Sequence, residues 1–277
     1  MKHLFCFGFG FSAKALALKL DPIEWSVTGT SRSLEGVAAI NALGFEGVLF
    51  SGLQAIPESV THIVISVPPS DDGDPVLLRF KDNLVKRAKA FEWVAYLSTT
   101  GVYGDRAGEW VDEESSLQPN TDRGQRRVDA EEAWRQVACL PLHIFRLAGI
   151  YGPGRNAFES LKSGKAQRVI KQGQIFSRIH VEDIAGVLLA SINEPNPGRI
   201  YNMADDEPCP PQDVIAYAAE LLGLPIPPEI PFEDAKLSAM AKSFYADSKR
   251  VSNARIKNEL GYELKYPNYR VGLKSLL

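Results

Sequence analysis

Near the start of the chain, Gly8, Gly10 and Ala13 stand in the order G-x-G-x-x-A, after an apolar run at 3–7 and before a helical pattern. Residues of these types at this spacing can bind a pyrophosphate. The first glycine allows a sharp bend, the second lets backbone N–H groups approach the phosphates, and a small third residue lets helix and strand pack closely. Plain turn punctuation at a strand end gives the same pattern, so its context has to decide. About twenty residues beyond Gly10, where a dinucleotide's adenosine ribose is recognised, stands Thr30-Ser31-Arg32-Ser33. A carboxylate at this place would indicate NAD, whereas Arg with hydroxyl neighbours suits a 2′-phosphate and indicates NADP. The alternative is that Arg32 is a solvated loop residue. A third group, Ser98-Thr99-Thr100-Gly101-Val102-Tyr103-Gly104, follows an apolar run. At the carboxyl end of a parallel strand its hydroxyls would lie on the ligand side of the sheet; as an ordinary turn they would satisfy local backbone groups.

The elements that must position these residues read as strands at 3–7, 25–30, 47–50, 62–67 and 93–98. Ala13, Leu16, Ala17 and Leu20 share one helical face before Asp21-Pro22 ends it. Val76, Leu77, Phe80, Leu84, Val85, Ala88 and Phe91 recur at helical spacing over 74–93, a face for the core or for a dimer. Strands alternating with helices predict an α/β doubly wound parallel sheet. With 277 residues, 45% of them hydrophobic, the chain can fill a sizeable core. A net charge of −3 offers no electrostatic footprint for nucleic acid. The three cysteines, Cys6, Cys139 and Cys209, are far apart and fit reduced thiols of a cytoplasmic protein. The four histidines are equally scattered, and no metal site follows from their spacing. No run approaches the ~20 apolar residues that span a bilayer. The N-terminal apolar stretch, interrupted by Lys14, reads as strand, turn and helix rather than a secretory signal.

From Ser98 to Gly104 the chain resembles the Ser-Thr-x-x-Val-Tyr-Gly motif of the extended short-chain dehydrogenase/reductases, the NAD(P)-dependent epimerases and dehydratases. Further segments are similar in family order: Glu109-Trp110-Val111-Asp112-Glu113 with Pro119, Phe145 to Arg155 with its Tyr-Gly-Pro-Gly loop, Arg178-Ile179-His180-Val181-Glu182-Asp183-Ile184, and Tyr201 to Asp206. The resemblance implies an NAD(P)-binding Rossmann fold over 1–155, with 176–206 returning to the sheet, and mainly a small C-terminal substrate lobe over 156–277. It implies cofactor contacts at Gly8, Gly10, Phe11, Ser12, Ala13, Ser31, Arg32, Ser66, Pro68, Ser98, Arg127 and Gly149. It also implies a substrate contact at Thr99, and a homodimer through the helices at 74–93 and 121–139.

In that family a Tyr-x-x-x-Lys pair on the helix after the fifth strand supplies proton transfer, the lysine lowering the tyrosine pKa. Counted back from Ala130-Glu131, the two places hold Arg123 and Arg127. Arginine stays protonated and has no acceptor, so it cannot replace that tyrosine. Four apart near a helix N-terminus, these like charges repel and oppose the dipole. A shared substrate carboxylate or phosphate would relieve both penalties; alternatively Asp122 pairs with Arg126 and Glu131 with Arg127 on a solvated face. Tyr103, Tyr151 and His180 are the other proton-transfer candidates. The combination resembles the atypical short-chain dehydrogenase/reductase subgroups. Two functions remain open: an oxidoreductase or epimerase/dehydratase-like enzyme on a polar nucleotide-sugar or anionic small molecule, and a non-catalytic NADP(H) sensor or regulatory module. Beyond 206 the sequence predicts a helix from Pro211, an extended linker at 225–231, and short helices at 235–243, 248–260 and 269–277.

Overall fold

Seven strands form the main sheet: β1 (Lys2–Phe7), β2 (Trp25–Ser31), β3 (Glu46–Leu49), β4 (His62–Ile65), β5 (Trp93–Thr99), β6 (Leu142–Leu147) and β7 (Ile200–Met203). The computed structural model describes residues 1–277, the Met240 side chain aside. It orders these strands β7-β6-β5-β4-β1-β2-β3 in one parallel sheet. β1, β4, β5 and β6 are almost wholly buried, as strands covered by helices on both faces must be. The order reverses between β1 and β4, where an open α/β sheet leaves a crevice at the carboxyl ends of its strands.

The helices that bear on the site are α1 (Phe11–Ala17), α2 (Leu34–Asn41), α3 (Pro75–Arg87), α4 (Asp122–Arg135) and α5 (Val181–Asn193). α3 begins sharply because the Asp74 carboxylate accepts from the Val76 and Leu77 amides and Pro75 occupies the first turn. Its Val76, Leu77, Phe80 and Leu84 pack with Phe5, Phe7, Ile63, Ile65, Val94 and Tyr96 in one cluster, so its apolar face belongs to the core. α4 is different, since its inward face carries a charge. Glu131, in α4, meets Arg146 of β6 in a two-point contact: Oε2 is 2.7 Å from Nη2 and Oε1 is 3.2 Å from Nε. Both side chains are 2% exposed, and Ser98 of β5 donates to the same carboxylate at 2.5 Å.

The chain forms two compact units, Met1–Thr99 with Arg126–Arg146 and Ile184–Tyr201, and Thr100–Gln125 with Leu147–Asp183 and Asn202–Leu277. This grouping differs from a division at residue 155 in placing 100–125 and 147–155 with the later chain. The physical reason is hydrogen bonding within the second unit. Tyr103 donates to Asn202 at 2.7 Å, the Asn202 amide donates to Glu113 at 2.7 Å, and the Ser248 amide donates to Asp105 at 2.8 Å. That unit has a core of Phe158, Cys209, Ala218, Tyr269 and Leu273, and a smaller one of Val169, Ala235 and Tyr245. The expected linker at 225–231 ends in a strand, Glu229–Pro231, paired with Arg168–Ile170. The expected helix at 248–260 divides into a strand, Arg250–Val251, paired with Trp110–Val111, and a helix, Ala254–Leu260. Short segments without strong periodicity take their conformation from such tertiary pairing.

Two predictions follow from buried charge. Glu131→Ala leaves Arg146 buried and unpaired, and should cost about 3–5 kcal/mol in urea denaturation; a change below about 1 kcal/mol would contradict the pair's role. His62 and His143 are buried, and burial pushes each from 6.5 down to about 4. The unfolded chain gains protons below about 6.5 and the folded chain only near 4, so stability is full above that window and falls through it as pH drops. The loss should reach roughly 3 kcal/mol per histidine, read from urea midpoints between pH 7 and 4. Asp205, pushed up to about 8 by burial, acts in the opposite sense over the same range, so the histidine share is the difference between the parent's profile and those of His62→Gln and His143→Gln; no difference would mean that the two rings are charged in the folded protein.

Candidate functional site

Gly8 ends β1 with φ +83, a conformation that L side chains rarely adopt. A Cβ at Gly8 would also stand 2.9 Å from Val67 Cγ1 and 3.0 Å from Ser66 Oγ. The turn is braced from both neighbouring strands. The Gly8 amide donates to Thr30 Oγ1 at 2.7 Å, the Phe9 amide donates to the Thr30 carbonyl at 3.2 Å, and Ser66 Oγ donates to the Gly8 carbonyl at 2.7 Å. Gly10, exposed at the start of α1, differs in kind: a Cβ there would meet nothing within 4 Å, and no side chain caps the helix. Ser12 and Ala13 are buried on the inner side of α1. The G-x-G-x-x-A pattern thus builds a rigid bend beside an open approach to backbone, at the switch point of the sheet.

At the end of β2, Ser31 Oγ accepts from the Ser33 amide at 3.3 Å and Ser33 Oγ accepts from the Gly36 amide at 3.2 Å, capping α2. The two hydroxyls fold the loop, and Arg32 between them is exposed, without an ion-pair partner among the described residues. Pro68 follows β4 as an exposed residue. At the end of β5, Ser98 is buried against Glu131, while Thr99 is half-buried. In the second unit, Gly149 is exposed and lies in register with Arg178 in a short parallel pair.

The arginines of α4 have partners that local spacing did not indicate. Arg127 Nη1 donates to the Tyr96 hydroxyl at 3.0 Å and to the Leu97 carbonyl at 2.8 Å. Arg126 pairs with Asp71 at 2.6 Å, and Glu131 is taken by Arg146. The solvated pairs Asp122–Arg126 and Glu131–Arg127 are therefore replaced by longer-range ones. Arg123 is exposed and its guanidinium lies 4.6 Å from the Phe244 ring centre.

The Tyr96–Arg127 contact does not recreate a tyrosine–lysine couple. Tyr96 is fully buried, and burial holds its phenol well above the ordinary range. Tyr103 is spent on Asn202, and burial raises the Tyr151 phenol while its hydroxyl reaches the Asn268 carbonyl at 3.4 Å. His180 Nδ1 accepts from the Glu182 amide at 3.2 Å, and its ring packs 3.9 Å from that of Tyr266. Asp183 in the same motif accepts from the Tyr262 hydroxyl and from the Lys265 and Tyr266 amides, a structural use. Sequence reasoning put Glu131 only in a solvated pair with Arg127 and met Arg146, Arg178 and Asp205 only within motif segments, giving none of the four a role at the site. An arginine inside the apolar run Phe145 to Leu147 was a readable sign of a buried ion pair. Asp205, 2% exposed, gave no such sign, and burial pushes it up to about 8. No group of three or more His, Cys, Asp or Glu side chains that could hold a metal occurs among the described residues, and no helix there is long and apolar enough to cross a membrane.

No family model matches the chain. It is 30% identical to protein YeeZ of Escherichia coli K12 over 97% of each chain. The solved structure of a functionally unknown conserved protein from Silicibacter pomeroyi DSS shares 55% identity, with a TM-score of 0.96 over 100% of this chain and 98% of that one. The 3-diazoavenalumate denitrifying reductase of a Streptomyces species is 25% identical, covering 94% of this chain and 93% of its own. The chain belongs to the YeeZ family of atypical short-chain dehydrogenase/reductases. Human epimerase family protein SDR39U1, solved with NADPH, shares the fold at a TM-score of 0.73 and 17% identity, over 100% of this chain and 99% of that one.

The two glycines of this YeeZ-family turn should separate folding from binding. Gly8→Ala should lose at least about 1–2 kcal/mol of stability through its positive φ and crowded Cβ, whereas Gly10→Ala should stay within about 0.5 kcal/mol of the parent. Thermal and urea unfolding of both variants check this; comparable losses would contradict the open approach at Gly10.

Proposed function

We propose that the protein binds NADP(H) at the Gly8–Gly10 turn and is an oxidoreductase for a small polar molecule carrying an anionic group. The observation that carries the reading is Gly10, whose missing side chain leaves backbone open to a ligand beside a bend that Thr30 and Ser66 hold rigid. That cradle fits a pyrophosphate. Arg32, exposed and without an ion-pair partner among the described residues, suits a 2′-phosphate and selects NADP over NAD. The relatives support the class, one being named a reductase and one neighbour having been solved with NADPH.

When bound, a nicotinamide supplies hydride transfer. Thr99, at the carboxyl end of β5, is the hydroxyl that hydrogen-bonds a substrate oxygen. Arg127 stays protonated at working pH and moves no proton; its bonds to Tyr96 and Leu97 hold the end of β5 in place beside Thr99. Arg123 stands where the family places its proton donor, and its contact with Phe244 favours a second reading, an NADP(H)-binding module without turnover.

Fluorescence titration with NADPH and NADH, followed by an absorbance scan over carbonyl and nucleotide-sugar panels, separates the two readings. Turnover that Thr99→Ala lowers on the order of a hundredfold supports the enzyme, and tight NADPH binding without turnover across the panel supports the module. Arg32→Ala should weaken NADPH by about tenfold or more and leave NADH nearly unchanged. Equal weakening of both would sink the assignment of Arg32 to the 2′-phosphate.

A further inference from the structure

Within the second unit, the half-buried Arg178 makes an unusual set of contacts. One nitrogen, Nη1, donates to the Phe176 carbonyl at 3.1 Å, the Cys209 carbonyl at 3.4 Å and Cys209 Sγ at 3.0 Å. Nε and Nη2 have no partner among the described residues, so two of the fork's donor nitrogens are unspent. The guanidinium lies 6.0 Å from the Phe176 ring centre, and the Phe176 and Tyr245 rings stand 5.4 Å apart. Its charge also acts on the Tyr245 phenol and the Asp205 carboxyl.

No counter-ion balances this cation. Arg178 forms no ion pair among the described residues, and burial pushes neighbouring Asp205 up to about 8, which keeps it protonated near pH 7. Cys209, likewise pushed up to about 11 by burial, stays a thiol. The carboxylates that follow are already taken: Asp206 by Lys257 at 2.5 Å, Glu207 by Arg270. A half-buried guanidinium with two unspent donor nitrogens and no carboxylate partner suits an added anion. The free arginine fork stands beside an aromatic wall, with the Tyr245 phenol and the Asp205 carboxyl within reach of its charge.

We propose that Arg178 anchors an oxyanion-binding site in the second unit, holding the carboxylate or phosphate group of a small molecule beside the Phe176 and Tyr245 rings. This deepens the functional reading above, resting on it for the ligand being a small molecule.

The test is isothermal titration of the full-length protein with sodium benzoate and, separately, inorganic phosphate, each with and without saturating NADPH. The parent protein should bind at least one, and the tighter of the two tells a carboxylate from a phosphate. Arg178→Gln should weaken that binding by about tenfold or more and Tyr245→Phe by roughly two- to fivefold, with NADPH affinity unchanged. If circular dichroism shows Arg178→Gln unfolded, Arg178→Lys, which keeps the charge and loses the planar fork, should show a loss of about threefold or more. Binding of neither anion by the parent, equal binding by parent and variants, or a parallel loss of NADPH affinity would each overturn the site. Anion binding that depends on Arg178 in a protein with no affinity for NADPH would keep the site and refute the cofactor reading instead.

Discussion

The contact of Glu131 with Arg146 and Ser98 governs how the first unit presents its chemistry. Taking a carboxylate and a guanidinium out of water costs several kcal/mol per ion, which only good geometry and further hydrogen bonds can offset. Both are present: the contact has two points, and Ser98 adds a third donor. Four residues earlier on the same helical face, Arg127 reaches Tyr96 and the Leu97 carbonyl. One turn of α4 thereby grips three consecutive residues of β5. Only Ala130, Trp134 and Val137 from this part of the chain enter the core cluster, so polar bonds contribute much of the docking. Thr99 follows the gripped residues directly and inherits their position.

The same grip changes what the site can do. A tyrosine at 123 and a lysine at 127 would give a phenol of lowered pKa beside a fixed charge. Arg127 keeps the charge but directs it at the strand, and the phenol it meets, Tyr96, is one that burial has made a poorer acid. Thr99 can orient and polarise through a hydrogen bond, a task that needs no pKa near neutrality. Reactions in which the substrate oxygen takes its proton from solvent suit this arrangement better than reversible proton exchange with a side chain.

The parts of the fold legible in the sequence were those with strong local signals: the glycine turn after β1, the continuous apolar strands, and the helical face of α3. The partners of α4 were not legible, because i to i+4 spacing suggests Glu131 with Arg127, whereas burial selects Arg146, 15 residues away in sequence. The unit boundary was hidden for a related reason. Residues 100–125 carry motifs that follow β5 in sequence, yet Tyr103, Asp105, Glu113 and Asn120 have hydrogen-bond partners beyond residue 200, and a chain that crosses between units several times cannot be cut at one position. Short strands such as Glu229–Pro231 have too few residues to show periodicity at all.

Several motif residues that invite a catalytic reading have structural uses. Tyr103, Asn202 and Glu113 form a hydrogen-bonded chain within the second unit, and Asp183 accepts three donors from the segment 262–266. A buried polar group that has found its partners is stable where it stands and offers little to a ligand. The proposed ligand contacts use groups the fold leaves unspent. In the first unit these are the backbone opened by Gly10 and the solvated Arg32 guanidinium; in the second it is the uncommitted fork of Arg178. All three suit negative charge, so in a chain of net charge −3 the proposed anion-binding capacity lies at a few points instead of over a basic surface.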